Sequence, residues 1–581
     1  MNSIDDEALS QDGKVSAFRL ELSASALSLV SAVLGVCVVF IVVLDWRFPY
    51  IHQIPVFDLD YITAVTMMWA RNWWIEGPLH MLFSMPYAPL SVETARPELR
   101  FGMYASWPPG AVASLYLVAK LTHTEPNITM INWLNVAGHG LIALFLAMSG
   151  YVAAGILRRP AIERVAIAIL AACLVLFPRG PVFFFSQVYT FDTHIVVFYA
   201  LLVFVATLEV AAVSRAAATW CYVAELVILV CGLFVDWLFY FVYVVWFVMR
   251  WFGSRSGYRR RLGRNETIAL FLLPLATFSI FLAWRMVTPG SIAMQQGLVA
   301  SFRELLWKLV FRLGDTDDHP VAFSGFFGPF YESHRNFYWN SAPVLILTGF
   351  IACIALLMIL FAISRGDLKR QRTCFGFLTV LLLSIIPAYA QMIIFKQHTF
   401  IHPWAFAKVV VPLTMVPGVF LPLLAVTVLA QWNGRRSGAA LTAISSLSVV
   451  AFAVWLGTVA WPYQVPYLMG RVEPENAIPW QTIFDRTKYA DVVFSPDIEA
   501  APFSIYSAVA GKVVYKVTSF AEIDSRVSHV CEPFNVVVVR KVQDASESFD
   551  GRTADRVERE GGLTLLRFQN YRGAAKSCPK V

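Results

Sequence analysis

Apolar runs long enough to cross a bilayer return eleven times between residues 26 and 461. A backbone in lipid must satisfy its own N–H and C=O groups, so each run is expected to be a helix. The runs fall near 26–46, 129–157, 162–178, 191–213, 219–235, 237–252, 266–287, 342–364, 373–394, 408–431 and 438–461. The stretch from Thr219 to Phe252 is too long for one span at ~1.5 Å per residue and short for two. Charged residues make up only 15% of the chain and hydrophobic ones 58%, which excludes a soluble multidomain protein. The expected fold class is an all-α polytopic membrane protein.

Orientation follows from the cations. Connections carrying Arg158, Arg159 and Arg164, then Arg215, then Arg255 to Arg264, then Arg365 to Arg372, then Arg435 and Arg436, should face the cytoplasm. Keeping Arg215 and Arg255 on one side requires two crossings between them. The N-terminal leader, 1–25, is then cytoplasmic, with its first dozen or so residues expected to lack fixed structure. The segments 47–128, 179–190, 288–341 and 395–407, and the tail after 461, face outward. The net charge of +7 is spread over these connections and forms no basic face, so nucleic acid is not an expected partner. The first apolar run follows an acidic leader and reads as a retained anchor, not a cleaved signal.

Two outer regions are too long to be linkers. Residues 47–128 hold an amphipathic stretch, Tyr61 to Trp74, and a short apolar run, Trp107 to Leu121, both expected to lie against the outer face. The tail, 462–581, changes character. Short β-rich runs beginning at Asp491, Gly511, Phe534 and Leu563 predict a small extracytoplasmic α/β domain. Six cysteines lie in or beside spans without metal-binding spacing, while Cys531 and Cys578 could pair in an oxidising compartment. The loop Gly314-Asp315-Thr316-Asp317-Asp318-His319 lacks the calcium-loop pattern, and no metal site is assigned.

Candidate chemistry concentrates in the outer segments. Asp58 and Asp60 stand at the start of the amphipathic stretch, where a helix N-terminus favours carboxylates, either as a cap or as a base. Lys396, His398 and His402 cluster before Pro403 and could hold a phosphate; interfacial snorkelling and polar capping are the plainer alternatives. Arg179 and Asp192 sit at the outer ends of successive spans. Asp236 occupies an outer turn, where a polar residue needs no further reason. The outer aromatics, Trp107 among them, suit either sugar stacking or an interfacial belt.

The order Asp58-Leu59-Asp60-Tyr61, Arg71, Trp73-Trp74, Gly77-Pro78, then Tyr104-Ala105-Ser106-Trp107-Pro108-Pro109-Gly110, resembles the first external loop of GT-C glycosyltransferases that use lipid-linked sugars. That group includes protein O-mannosyltransferases, the lipid A aminoarabinose transferase and rhizobial core galacturonosyltransferases. The resemblance covers the topology of 1–461, with its sharp motifs in the first loop. Asp58-Leu59-Asp60 replaces the commoner Asp-Glu pair, and Gly110 replaces the Leu that often follows Pro-Pro.

The resemblance implies about eleven spans in a GT-C arrangement over 26–461. It implies an inverting transfer of one sugar from a polyprenyl-phosphate carrier to a glycolipid, polysaccharide or protein, at the outer face of the inner membrane. Asp60 is nearest the family's base and Asp58 would orient the acceptor. Lys396, His398, His402 and Arg179 would bind the donor phosphate, and Trp107, Pro108, Pro109 and Asp192 would line the cavity. No cofactor is assigned, although the Asp-x-Asp pair leaves room for a divalent ion. A lipid-linked saccharide flippase or transporter, or an envelope polysaccharide polymerase or ligase, is the alternative.

Overall fold

A computed structural model describes residues 4–52, 54–55, 61–85, 104, 107–288, 297–313, 323–339, 341–433, 471–472, 482–483, 485–488, 491–496, 514–526, 533–541 and 546–572. The first helices are α1 (Ile4–Arg47), α2 (Tyr61–Glu76), α3 (Gly110–Thr122), α4 (Ile128–Ile156), α5 (Ala161–Leu176) and α6 (Arg179–Gln187). There follow α7 (Phe191–Ala211), α8 (Arg215–Leu233), α9 (Leu238–Arg255) and α10 (Arg264–Val287). Then come α11 (Leu298–Leu313), α12 (Phe323–Phe337), α13 (Ala342–Ile363), α14 (Leu368–Ile394) and α15 (Lys396–Ile401). The last described span, Trp404–Gln431, is irregular: a 3₁₀ run over Pro403–Val409 and a π segment over Thr414–Phe420, which contains Pro417, precede regular helix.

Among the described residues eight helices are long and apolar enough to cross a membrane, or nine if α5 and α6 form one broken span. The eleventh expected run, 438–461, lies outside them. The ambiguous stretch 219–252 is indeed two helices, α8 and α9, although α9, with Arg250 and Arg255, is not among the eight.

Three expectations need correction. Residues 179–187 are not an open connection: α5 bends by 60° into α6, because Pro178 brings no N–H to continue the ladder. The leader is helical from Ile4, continuous with the first span. The stretch Tyr61–Trp74 does not lie on a surface with one face exposed. Val65, Thr66, Met67, Met68, Trp69 and Ala70 are all buried, so this stretch of α2 is covered all round, with α3 among the helices packed on it. Trp73 Nε1 donates to Ser84 O at 2.6 Å, and Arg71 pairs with Glu125, tying α2 to the segments on either side.

The bundle centres on α4, which packs against α1, α5 and α7. At its middle His139 is fully buried. Val175 O can only accept (2.9 Å from Nε2) and the Arg47 guanidinium can only donate (2.8 Å from Nδ1), so the ring is held as the neutral Nε2–H tautomer. Gly110 opens α3 against the α8–α9 turn: its N–H donates to Phe234 O at 3.2 Å, and a Cβ there would lie 2.5 Å from Val235 Cγ2. The glycine in place of the leucine common in the resembled motif therefore has a packing reason.

In the tail, all four expected strands form and join a fifth. They are β3 (Val492–Ser495), β4 (Val514–Lys516), β5 (Phe534–Lys541), β8 (Arg556–Glu560) and β9 (Leu563–Tyr571), in the order β4-β3-β5-β9-β8. β3 is parallel to β4 and β5, while β9 is antiparallel to β5 and β8. A short helix, Phe520–Arg526, completes an α/β unit, and between β5 and β8 in the chain β6 (Ser548–Phe549) pairs antiparallel with β7 (Arg552–Thr553). Upstream, β1 (Ile54–Pro55) pairs antiparallel with β2 (Arg471–Val472), joining the first long loop to the start of the tail. Cys531 and Cys578 lie outside the described residues.

Candidate active site

The break between α14 and the last span sets the site. His402 precedes Pro403, which disfavours helical backbone, and its φ of −114° and ψ of 87° end α15. The 3₁₀ run that follows brings Trp404 and Lys408 to one carboxylate, Asp192. That residue lies in the first turn of α7, where the helix dipole favours negative charge, after a capping box between Thr190 and Thr193.

Asp192 is 2% exposed, and Lys408 is 1% exposed. Lys408 Nζ donates to Asp192 Oδ1 and, at 2.6 Å, to Gln391 Oε1, while Trp404 Nε1 donates to Asp192 Oδ2 at 3.1 Å. His398 Nε2 lies 3.4 Å from the same Oδ2. Asp236 stands on the other side of Lys408, at 3.7 Å. Its Oδ1 accepts from the Leu238 N–H at 2.6 Å and from Gln391 Nε2 at 3.1 Å. Asp236 thus does cap its turn, and it also belongs to this cluster. Burial pushes its carboxyl above the usual range; Lys408 opposes the shift and Asp192 adds to it. Lys408 and Asp192 form the ion pair, and Asp236 leans towards its neutral form.

Aromatic rings wall the cluster. Trp107 stacks on Phe191 at 6.2 Å and lies 5.5 Å from His398 and 6.1 Å from Trp237. His402 lies 4.7 Å from His398 and stacks on Trp404 at 4.5 Å. Burial, with the His398 charge second, lowers the His402 pKa to about 3, so this ring is neutral at physiological pH. Its Nδ1 is buried without a hydrogen-bond partner among the described residues. Arg312, in the last turn of α11, sits over the Trp107 ring at 4.7 Å. It is half-buried and has no carboxylate partner among the described residues.

Of the residues singled out in the sequence, Asp192, His398, His402 and Trp107 come together here. Pro108 is buried beside Trp107 and Pro109 precedes α3, so this pair carries no N–H and fixes the chain's entry into that helix. Lys396 is buried at the first position of α15, but two residues along a helix turn it ~200° away from His398. Arg179 opens α6 and is half-buried; no described contact joins it to Asp192, His398 or His402. Asp58, Asp60, Asp315, Asp317, Asp318 and His319 lie outside the described residues. Lys408, Gln391, Trp404 and Arg312 escaped sequence reading. The helical period of Leu298–Leu313 was the available sign for Arg312, and a lysine at the expected start of a span was the sign for Lys408.

No protein-family model matches the chain, and no curated protein does. In fold it is similar to several solved structures. The oligosaccharyltransferase of Archaeoglobus fulgidus, in complex with zinc and sulfate, aligns over 87% of this chain and 67% of its own at 10% identity, with a TM-score of 0.49. The archaeal oligosaccharyltransferase AglB of that organism, with an inhibitory peptide and a dolichol-phosphate, aligns over 87% of this chain and 69% of its own at 11% identity, with a TM-score of 0.47. ArnT from Cupriavidus metallidurans, bound to undecaprenyl phosphate, aligns over 95% of this chain and 99% of its own at 13% identity, again at a TM-score of 0.47. These likenesses concern the overall arrangement; the chemistry is argued from the side chains.

Proposed function

We propose that this chain is an integral membrane glycosyltransferase that moves a sugar from a polyprenyl-phosphate carrier to an acceptor at the outer face of the inner membrane. The observation that carries the reading is Arg312. A guanidinium seated on Trp107, with no carboxylate partner among the described residues and beside two histidines, is suited to a phosphate. The aromatic wall offers faces for a sugar ring.

In this reading the acceptor oxygen attacks the anomeric carbon as the carbon–oxygen bond to the carrier phosphate breaks. Asp60 takes the acceptor proton, with Asp58 orienting the acceptor. The departing phosphate keeps the electron pair and needs no acid, and the anomeric centre inverts. Arg312 supplies charge to the leaving group, and neutral His402 supplies a hydrogen bond from a fixed position. Lys396 and Arg179 would meet the phosphate or the lipid headgroups around it. Lys408 is buried and committed to Asp192 and Gln391, so in this reading it holds the site together and is not a phosphate ligand.

The test compares envelope glycolipids and glycoproteins by mass spectrometry in cells with the wild type, Asp60→Asn, Arg312→Gln and no protein. A mass increment present with the wild type and absent from the null is expected to vanish in Asp60→Asn. In Arg312→Gln it should fall by about 10²–10³-fold, as when one preorganised charge donor is removed. An undiminished increment in both variants rejects the reading. Unchanged masses in the null, with lipid-linked saccharide trapped on one side of the membrane, would support the flippase instead.

A further inference from the structure

A cavity lined by cations lies at the opposite end of the bundle from the candidate active site. It has a volume of about 510 Å³ and is formed where α7 ends, α8 begins, α9 ends and α14 begins. Glu209, on its wall, lies seventeen residues along α7 from Asp192, ~25 Å at 1.5 Å per residue. This places the cavity at the level of the other leaflet's headgroups.

Six cations line it: Arg215, Arg250, Arg259, Arg260, Lys369 and Arg372. Three carboxylates answer three of them. Glu209 accepts from Arg250 at 2.9 Å and pairs with Arg259; Glu225 accepts from Arg250 at 2.7 Å; Glu266 pairs with Arg260. Six cations less three carboxylates leave a charge of +3, held by Arg215, Lys369 and Arg372 on the exposed rim. None of these three has a carboxylate partner among the described residues; Arg372 Nε donates only to Gly257 O, at 3.2 Å. The wall is rigid where it matters, since Arg250 lies over the Tyr222 ring at 4.5 Å and Tyr222 donates to Glu266 at 2.9 Å. Trp220, 73% exposed beside lining residue Thr219, is of the type that sits at a membrane interface.

We infer that this cavity is a binding site for a phosphate-bearing anion, namely the headgroup of an anionic membrane lipid reached from the leaflet opposite the candidate active site. Cations scattered for orientation alone need no shared cavity between helix ends. Here they converge on one, with three of the six paired off and the other three unmatched by any carboxylate among the described residues.

Native mass spectrometry on the full chain in phosphatidylcholine nanodiscs, with and without cardiolipin, tests the assignment. Wild type is expected to retain cardiolipin in preference to phosphatidylcholine. Lys369→Gln/Arg372→Gln, whose side chains make no ion pair that the fold needs, should retain roughly thirtyfold less, at ~1 kcal/mol per cation removed. Arg365→Gln, a cation at the same end but outside the cavity, should behave as wild type. Inorganic pyrophosphate separates the sources: binding that the double variant loses, without any lipid preference, assigns the site to a soluble phosphate. Equal cardiolipin retention by wild type and the double variant, with equal elution on gel filtration, overturns the proposal. So does a wild type that prefers neither cardiolipin nor pyrophosphate.

Discussion

Lys408 shows why part of the site escaped the sequence. It follows Ala405-Phe406-Ala407 at the start of an apolar run, where a cation ordinarily anchors a span at the interface. Only the tertiary fold puts it between Asp192 and Asp236. Lys408→Met would leave the buried Asp192 carboxylate without its counter-ion and is expected to cost ~3–5 kcal/mol, read as a lowered unfolding midpoint in detergent. His402, by contrast, was visible beside Pro403, but its neutrality was not. Its folded pKa of about 3 lies below the ordinary histidine value of ~6.5. The unfolded chain therefore binds the proton first, and stability present above pH ~6.5 is lost as the pH falls towards 3. His334, in α12, is lowered to about 4 by burial and acts in the same direction. Between pH 7.5 and pH 5 the midpoint should drop, and His402→Asn should remove ~1–2 kcal/mol of that pH-dependent loss. A drop of the same size in the variant would show that the ring is not held neutral.

Hydropathy revealed the long elements because length and composition alone mark them. The shorter ones were hidden for specific reasons. α11 and α12 lie in a segment read as a loop: α11 mixes Arg303, Glu304, Lys308 and Arg312 with its apolar residues, and α12 contains Pro329. Strand β8 reads Arg556-Val557-Glu558-Arg559-Glu560, the charged composition of a sheet edge, and carries no β-rich signal. α6 follows Pro178 and falls in the stretch read as an outer connection, where the helix only bends. The contact at Gly110 provides a test on this scale. Gly110→Leu would drive a side chain into Val235 and the Phe234 carbonyl, lifting α3 from the α8–α9 turn. We expect ~1–3 kcal/mol of destabilisation and weaker donor binding, because Trp107 and its Arg312 partner sit at the head of that helix. Wild-type stability in the variant would mean that the turn yields freely.

At the level of the whole molecule, the candidate active site and the cation-lined cavity lie at opposite ends of α7, and the proposed function requires the first of them to face outward. The assignment is open to a direct check. In a background without native cysteines, Leu79→Cys lies at the active-site end and is 75% exposed, whereas Arg365→Cys lies at the opposite end. A membrane-impermeant maleimide should label the first in intact cells and the second only after lysis. The reverse pattern would put the paired aspartates in the cytosol, out of reach of an outward-facing carrier.

The ladder between Ile54–Pro55 and Arg471–Val472 bears on how such a protein is made. The strand Ile54–Pro55 finds its partner only after the ribosome has delivered every described span, so this ladder closes late in synthesis. A nascent chain halted within the spans would already be threaded through the bilayer yet would leave Ile54–Pro55 without the strand that closes on it.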